Sequence, residues 1–381
     1  MSWPRAPLLL VSSSSRTGPA EGLISLARQL RALGMDARFA GDTVRPGENL
    51  GEHLAQAGVP WAEELRLSRK VRLLDLLHDA QMLTRWAREG RHDLFHAAFA
   101  HDHSLCLWAK RRARNPDLRV VRAAQRRVDV EPGALGLRRR ALRRSDGILV
   151  HCESYRSLLL QQSLDPSRVA SVYGSVDGAW FTPGRAPDLR SAWGIPEFAP
   201  LAGIVARMKP ERGHRALLQG FARALEHVPE AWLVLVGRGE EEEPLRQLAS
   251  EVAPGRIVFG GYLRGPGLVE AYRALDVAVW LREGNDGACR GVLEAMACGL
   301  PLVVGSEGAP AELVRDGIDG RTVGADNVPA IGNALAELLG DLRRAQQMGR
   351  VGRERALEFT PRRAAEETLA FWRRVRELPP A

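Results

Sequence analysis

Strand-sized apolar runs alternate with helix-period segments along the whole chain, and this alternation constrains the fold more than any other feature. Residues 7–13 read as a first strand, and a small polar turn, Ser14 to Gly18, follows. Residues 20–33 then place Leu23, Ile24, Leu26, Ala27, Leu30 and Leu33 at helical spacing and stop at Gly34. Further strands are expected at 37–40, 94–97, 119–123, 147–151 and 169–173. A second series follows at 201–206, 232–236, 256–259, 277–281 and 301–304, again with helices between. Such spacing predicts an α/β chain with parallel sheets covered by helices.

At roughly 150 residues per domain, the 381 residues suggest two to three domains. The segment 181–187, with two prolines and a glycine, is the expected linker. It divides the chain into 1–182 and 183–360. A last helical segment in 361–381 could return to the first domain. Hydrophobic residues at 45% and charged residues at 26% exclude a wholly disordered chain. No apolar run reaches the roughly 18 residues of a membrane-spanning helix. The N-terminal apolar stretch is short for a signal peptide. Cys106, Cys152, Cys289 and Cys298 form no CxxC pair and read as reduced thiols, so a cytoplasmic setting is expected.

The net charge of +8 is unevenly spread. Lys110 to Arg144 holds thirteen basic residues against three acids, an excess of +10 that would attract phosphate or an anionic membrane face. The same count also fits solvated helix faces. Nucleic-acid binding has no motif beyond the charge, so no such partner is expected.

Three segments could carry chemistry. In 283–303, a strand leads through Glu283-Gly-Asn-Asp-Gly-Ala-Cys-Arg into a helix that ends at Gly299. Free N–H groups at such a helix start suit phosphate. Asp286 and Glu294 could hold hydroxyls of one oxygen-rich ligand, and Glu294 lies in apolar surroundings where an idle charge is costly. In 203–214, Arg207 follows a buried strand and Arg212 precedes a helix; two guanidiniums can clamp a diphosphate. In 12–18, Ser-Ser-Ser-Ser-Arg-Thr-Gly could cradle an anion, without P-loop or GxGxxG spacing. Histidines gather in 95–103, but lack spaced partner ligands, so no metal site is expected.

Together these segments resemble the retaining nucleotide-sugar glycosyltransferases of family 4, over essentially the whole chain. Asp286 to Val303 is similar to the family's E-x7-E segment followed by EAMACG-P-VV. Residues 203–214 look like its GRL-x-PEKG stretch, 175–177 like the tail of PNGVD, and 309–317 like G-x-PELV-x-DG. The resemblance implies the GT-B fold: two Rossmann-like parallel-sheet domains facing across a cleft, the first on the acceptor side and the second binding the nucleotide sugar. It implies that Arg207 and Arg212 hold the donor diphosphate, Glu294 the ribose and Asp286 the transferred sugar. Backbone N–H groups of Gly287, Ala288, Cys289 and Arg290 would help. Gly18 would approach the phosphate, and 257–263, with Tyr262 and Leu263, would lie near the base.

This chain departs from the family pattern in places. The first carboxylate is Asp286 with Glu283 nearby, the usual Lys is Arg212, and Ala98 replaces the second His of His-x-His. His96, His101 and His103 are therefore all candidates for donor or acceptor contacts. The EGxDGxCR form resembles members that build lipopolysaccharide cores and other envelope glycans. Implied are transfer from a nucleotide diphosphate sugar to a glycan or lipid-linked hydroxyl with retention, no cofactor, no metal, and a donor phosphate oxygen as proton acceptor. A peripheral site on the inner membrane face fits the basic stretch. The rival readings are a sugar-nucleotide epimerase or phosphorylase-like enzyme on this fold, and a non-catalytic binder of nucleotide sugars or anionic surfaces.

Overall fold

The computed structural model describes residues 3–14, 17–44, 50–68, 72–133, 136–283 and 289–381. They form two compact units. Unit 1 comprises the described residues up to Gly174 together with Pro361–Ala381; unit 2 comprises those from Ser175 to Thr360.

Unit 1 is built on a six-stranded sheet of β1 (Pro7–Leu10), β2 (Arg38–Ala40), β3 (Leu94–Ala97), β4 (Arg119–Ala124), β5 (Gly147–Val150) and β6 (Val169–Ser171), ordered β2-β1-β3-β4-β5-β6. Every pairing is parallel. Successive side chains point to opposite faces, so the apolar runs feed two cores. Leu8, Leu10, Phe95, Ala97 and Val120 pack with Leu83 and Trp86 of helix Leu73–Arg88 and with Leu105 and Cys106 of helix Ala100–Ala113. Leu9, Val121 and Leu149 face helix Gly18–Ala32 and the C-terminal helix Pro361–Glu377. That last helix buries Trp372 and Val375 completely in the unit 1 core.

Unit 2 repeats the scheme with β7 (Leu201–Val205), β8 (Trp232–Val236), β9 (Ile257–Gly261), β10 (Val277–Trp280), β11 (Leu302–Gly305) and β12 (Gly320–Val323). Their order is β9-β8-β7-β10-β11-β12, all parallel. In such sheets the chain turns back on itself at one point, here between β7 and β10, and ligands settle outside the carboxyl ends there. The corresponding point in unit 1 lies between β1 and β3.

The change of unit falls before the proline-bearing linker, at Gly174/Ser175 rather than at 182/183. The reason is hydrogen bonding. Val176 N–H donates to Phe359 O (2.9 Å), and Arg273 donates to the Thr182 carbonyl and hydroxyl (3.0 and 2.6 Å), which ties this segment to unit 2.

The Arg-rich stretch does not form one surface patch. Arg119 and Arg122 lie on β4 and are buried; Arg122 pairs with Asp129 (3.2 Å), and Arg119 donates to the Arg376 and Leu378 carbonyls (3.2 and 3.3 Å). Lys110 is held by buried Asp146 at 2.7 Å. These charges are consumed inside unit 1, because an unpaired buried charge would be costly.

Four buried histidines make the fold acid-sensitive. Burial lowers His96 and His103 to about 3, and His92 and His214 to about 4, from the ordinary 6.5. Between 6.5 and those values the unfolded chain takes up protons that the folded chain refuses. Stability is therefore complete above pH 6.5 and declines as the pH falls, by about 2 kcal/mol per histidine at pH 5. Melting temperature should be level from pH 8 to 7 and drop steadily from 6.5 to 5. A profile that stays flat to pH 5 would contradict this burial.

Candidate functional site

At the carboxyl edge of the unit 2 sheet, three strand exits are stitched together by backbone. Ala206 N–H donates to Val236 O (3.0 Å), Met208 N–H to Arg238 O (3.2 Å), and Gly237 N–H to Gly261 O (2.8 Å). A Cβ at Gly237 (φ +149°) would collide with the Ala206 carbonyl, so only glycine allows this approach. The registry sets Arg207, exposed, directly beyond β7. Arg238 stacks over exposed Tyr262 beyond β8 and β9, with its guanidinium carbon 4.5 Å from the ring centre. Leu263 follows, half-buried.

Arg212 lies in the short turn Pro210–Arg212 and is buried, its guanidinium carbon 5.8 Å from the ring centre of Trp280 at the end of β10. Its Nη1 is sequestered and has no hydrogen-bond partner among the described residues. His214 beside it is also buried, with both ring nitrogens unpartnered among those residues. Burial first, and the Arg212 charge second, lower His214 to about 4, so it is neutral at pH 7. Sequestered donors of this kind are costly unless a ligand or water answers them.

Trp280 links this arginine to the second constellation. A Cβ at Gly291 would run into the six-membered ring of Trp280, so the first turn of helix Arg290–Ala297 rests on that ring. Glu294 is three residues on, on the same helix side, and is buried. Its Oε2 accepts from the Tyr272 hydroxyl (3.0 Å), and its Oε1 lies 3.7 Å from Arg290 Nε. Burial, then the Glu294 carboxylate, push the Tyr272 phenol well above its usual range, so it stays a donor. Cys289, fully buried, caps the helix in a left-handed conformation (φ +46°) that a non-glycine residue adopts only at a cost. Glu283 accepts from Ala309 N–H (2.7 Å) at the start of helix Gly308–Leu313. Asp286, Gly287 and Ala288 lie outside the described residues.

In unit 1, Gly18 opens helix Gly18–Ala32 just after Thr17, whose hydroxyl is 3.0 Å from that of Ser13 beyond β1. His96 sits within β3, buried, its ring 5.5 Å from Trp372. His101 is half-buried on the first turn of helix Ala100–Ala113. His103 is buried and its Nε2 is 2.8 Å from the Ser145 hydroxyl, which makes it part of the scaffold. Asp102, which the sequence did not single out, is fully buried and receives the Ser12 N–H (3.0 Å), the Ser12 hydroxyl and the Phe99 N–H (3.2 Å). It pins the β1 exit to the start of helix Ala100–Ala113, which follows β3. Tyr272 was likewise missed: it is ordinary in sequence and gains meaning only from a partner distant along the chain. Gly237-Arg-Gly239 is only suggestive in the sequence, as an anion-cradling turn after a strand, and the fold sets Arg238 over Tyr262.

Both halves match known families. Residues 17–179 match the model for Glycosyltransferase Family 4, and residues 186–355 the model for Glycosyl transferases group 1. The fold agrees: the Anabaena HepE structure in complex with UDP and glucose superposes with a TM-score of 0.80 at 18% identity, covering 96% of this chain and 98% of that one. Each half thus matches a glycosyltransferase family model, and the fold is that of the GT-B type. Among curated relatives, a GDP-mannose-dependent alpha-(1-6)-phosphatidylinositol monomannoside mannosyltransferase of Mycolicibacterium smegmatis is 33% identical over 213 residues, 50% of this chain and 55% of that protein. A D-inositol 3-phosphate glycosyltransferase of Kribbella flavida is 31% identical over 235 residues, 59% of this chain and 55% of that protein. The matched region thus spans about half the length of these relatives.

Proposed function

We propose that the chain transfers a sugar from a nucleotide diphosphate sugar to a hydroxyl acceptor, with retention at the anomeric carbon and without a metal, in envelope glycan or glycolipid synthesis. One observation carries the reading: Arg212, buried beside Trp280 at the β7/β10 edge, has a guanidinium nitrogen without a hydrogen-bond partner among the described residues. A diphosphate oxygen supplies that partner.

In this reading Arg207 and Arg212 neutralise the departing diphosphate, helped by the N-terminus of helix Arg290–Ala297. Glu294, oriented by Tyr272, accepts from the ribose hydroxyls. The family resemblance assigns Asp286 to the transferred sugar and Gly18 to the donor phosphate. The bond from the anomeric carbon to the diphosphate oxygen breaks as the bond to the acceptor oxygen forms. The acceptor's proton passes to a donor phosphate oxygen, so no protein base is assigned. HepE was solved with UDP and glucose, and the M. smegmatis relative is GDP-mannose-dependent, so trials should include both bases. The relative's phosphatidylinositol mannoside substrate favours a lipid-linked acceptor and work at the cytoplasmic membrane face.

Incubation with UDP- and GDP-sugars should release nucleoside diphosphate in the presence of an acceptor and in excess chelator. Arg207→Ala should slow this by about a hundredfold or more, as loss of a transition-state donor does elsewhere. Isomerised nucleotide sugar without transfer, or near-normal turnover by Arg207→Ala, would remove the assignment.

A further inference from the structure

Helix Leu73–Arg88 carries an unusual outer face. Its inner side is buried through Ala80, Leu83, Trp86 and Ala87, as expected for a helix covering a sheet. Yet Leu74 and Leu77 on the outer side, and Leu73 at the exposed start of the helix, are 75%, 47% and 68% exposed. Single exposed leucines are common, whereas three on adjoining turns make a patch. Helical spacing puts Gln81, Arg85 and Arg88 on the same side, all exposed.

The neighbouring helix Ala100–Ala113 extends this surface. Trp108 is 42% exposed beneath the Arg112 guanidinium, whose carbon is 5.5 Å from the ring centre. Arg88 Nη2 donates to the Arg112 carbonyl (3.1 Å) beside a shallow groove of about 350 Å³ lined by Gln81, Thr84, Arg85, Arg88, Glu89, Trp108 and Arg112. The acids nearby are engaged. Asp75 pairs with Arg66 (2.7 Å), Asp79 accepts the backbone N–H groups of Arg66 and Leu67, and Glu89 pairs with Arg85 (2.7 Å). Arg72, Arg88, Arg111 and Arg112 remain as exposed cations with no carboxylate partner among the described residues.

We propose that this face of unit 1, and not the Arg-rich stretch as a whole, docks the protein on an anionic phospholipid surface. Leucines at one end, a tryptophan in the middle and arginines at the other match a bilayer boundary: aliphatic groups enter the acyl region, the indole sits at headgroup depth, and guanidiniums meet lipid phosphates. Charge complementarity selects anionic lipid over an acidic or neutral protein patch, because the leucines need an apolar depth next to the phosphates. No helix among the described residues is long and apolar enough to cross a membrane, so the contact is peripheral. The proposal deepens the lipid-linked acceptor reading but does not depend on the donor chemistry.

Co-sedimentation of the full chain with phosphatidylcholine vesicles, with and without phosphatidylglycerol, tests it. Binding should require phosphatidylglycerol and weaken as salt rises. Leu73→Glu/Leu74→Glu should lower the partition coefficient by about a hundredfold. Arg88→Ala/Arg112→Ala should lower it by about tenfold or more. A control pair in the basic helix Leu137–Arg143 and its cap, Arg140→Ala/Arg144→Ala, should leave most binding intact. All variants should keep the wild-type melting temperature and its shift with UDP or GDP, which reads the donor site separately. Binding that survives the leucine change, falls only in the control pair, or ignores phosphatidylglycerol overturns the proposal. So does a wild-type dimer that the leucine change dissolves, since another copy of the chain would then own the face.

Discussion

Arg212→Ala should severely weaken donor use while leaving the unliganded protein as stable as the wild type, or slightly more so. The guanidinium is buried with Nη1 unanswered, and the adjacent imidazole has neither nitrogen bonded among the described residues. A sequestered donor of this kind costs about 1–3 kcal/mol in the free protein. Removing it relieves that cost, against a loss of packing on Trp280. With a nucleoside diphosphate the sign reverses. Charge-assisted hydrogen bonds to phosphate contribute about 1.5–3 kcal/mol each, so affinity should fall by about tenfold to a hundredfold or more. Turnover should fall further if the charge on the departing diphosphate grows in the transition state. Arg212→Lys keeps the charge and loses the fork, and should fall between. Melting curves with and without UDP or GDP read both effects. A variant that loses several degrees unliganded but keeps its nucleotide response would make Arg212 a structural residue.

Glu294→Gln is the second large effect. The amide keeps the volume and can still accept from the Tyr272 hydroxyl, so stability should change by less than about 1 kcal/mol. In the proposed reading, a carboxylate that would accept the ribose hydroxyls is replaced by a group with a single acceptor oxygen. Donor affinity or turnover should drop by about tenfold to a hundredfold. Glu294→Ala adds a fold defect, because it strands the buried Tyr272 hydroxyl at about 1–3 kcal/mol. Tyr272→Phe tests positioning: it should raise the KM for donor modestly and leave the acid-induced unfolding profile unchanged. Loss of stability in Glu294→Gln with unaltered donor kinetics would mean that the Tyr272–Glu294 pair only holds helix Arg290–Ala297 in place.

The sequence made the sheets legible because a parallel strand buried on both faces is a short unbroken apolar run. β3 and β8 fall at the expected residues, and most other strands within one or two of them. β12 escaped for the opposite reason: Gly320-Arg-Thr-Val is an edge strand with half-buried middle residues and no apolar run. The Arg-rich stretch was only partly legible, because linear counting cannot show that β4 turns Arg119 and Arg122 inward or that Asp146, 36 residues on, meets Lys110. At the site, Arg207, Arg212 and Glu294 stood out by their place after strands and within apolar text. The Trp280 ring that joins Arg212 to the helix of Glu294, and the Tyr272 hydroxyl that orients the carboxylate, depend on strand order and could not be read beforehand.

The proposed transfer requires a nucleoside diphosphate to bind at the carboxyl edge between β7 and β10. The most direct measurement is thermal unfolding of wild type and Arg212→Ala with UDP, GDP and ADP in parallel. At a hundred times the dissociation constant, a bound nucleotide adds about 2.7 kcal/mol. At about 2–4 °C per kcal/mol, that raises the melting temperature by about 5 °C or more. At least one nucleotide should do this for the wild type, and none for Arg212→Ala at the same concentration. Equal stabilisation of both proteins, or of neither, would contradict the account.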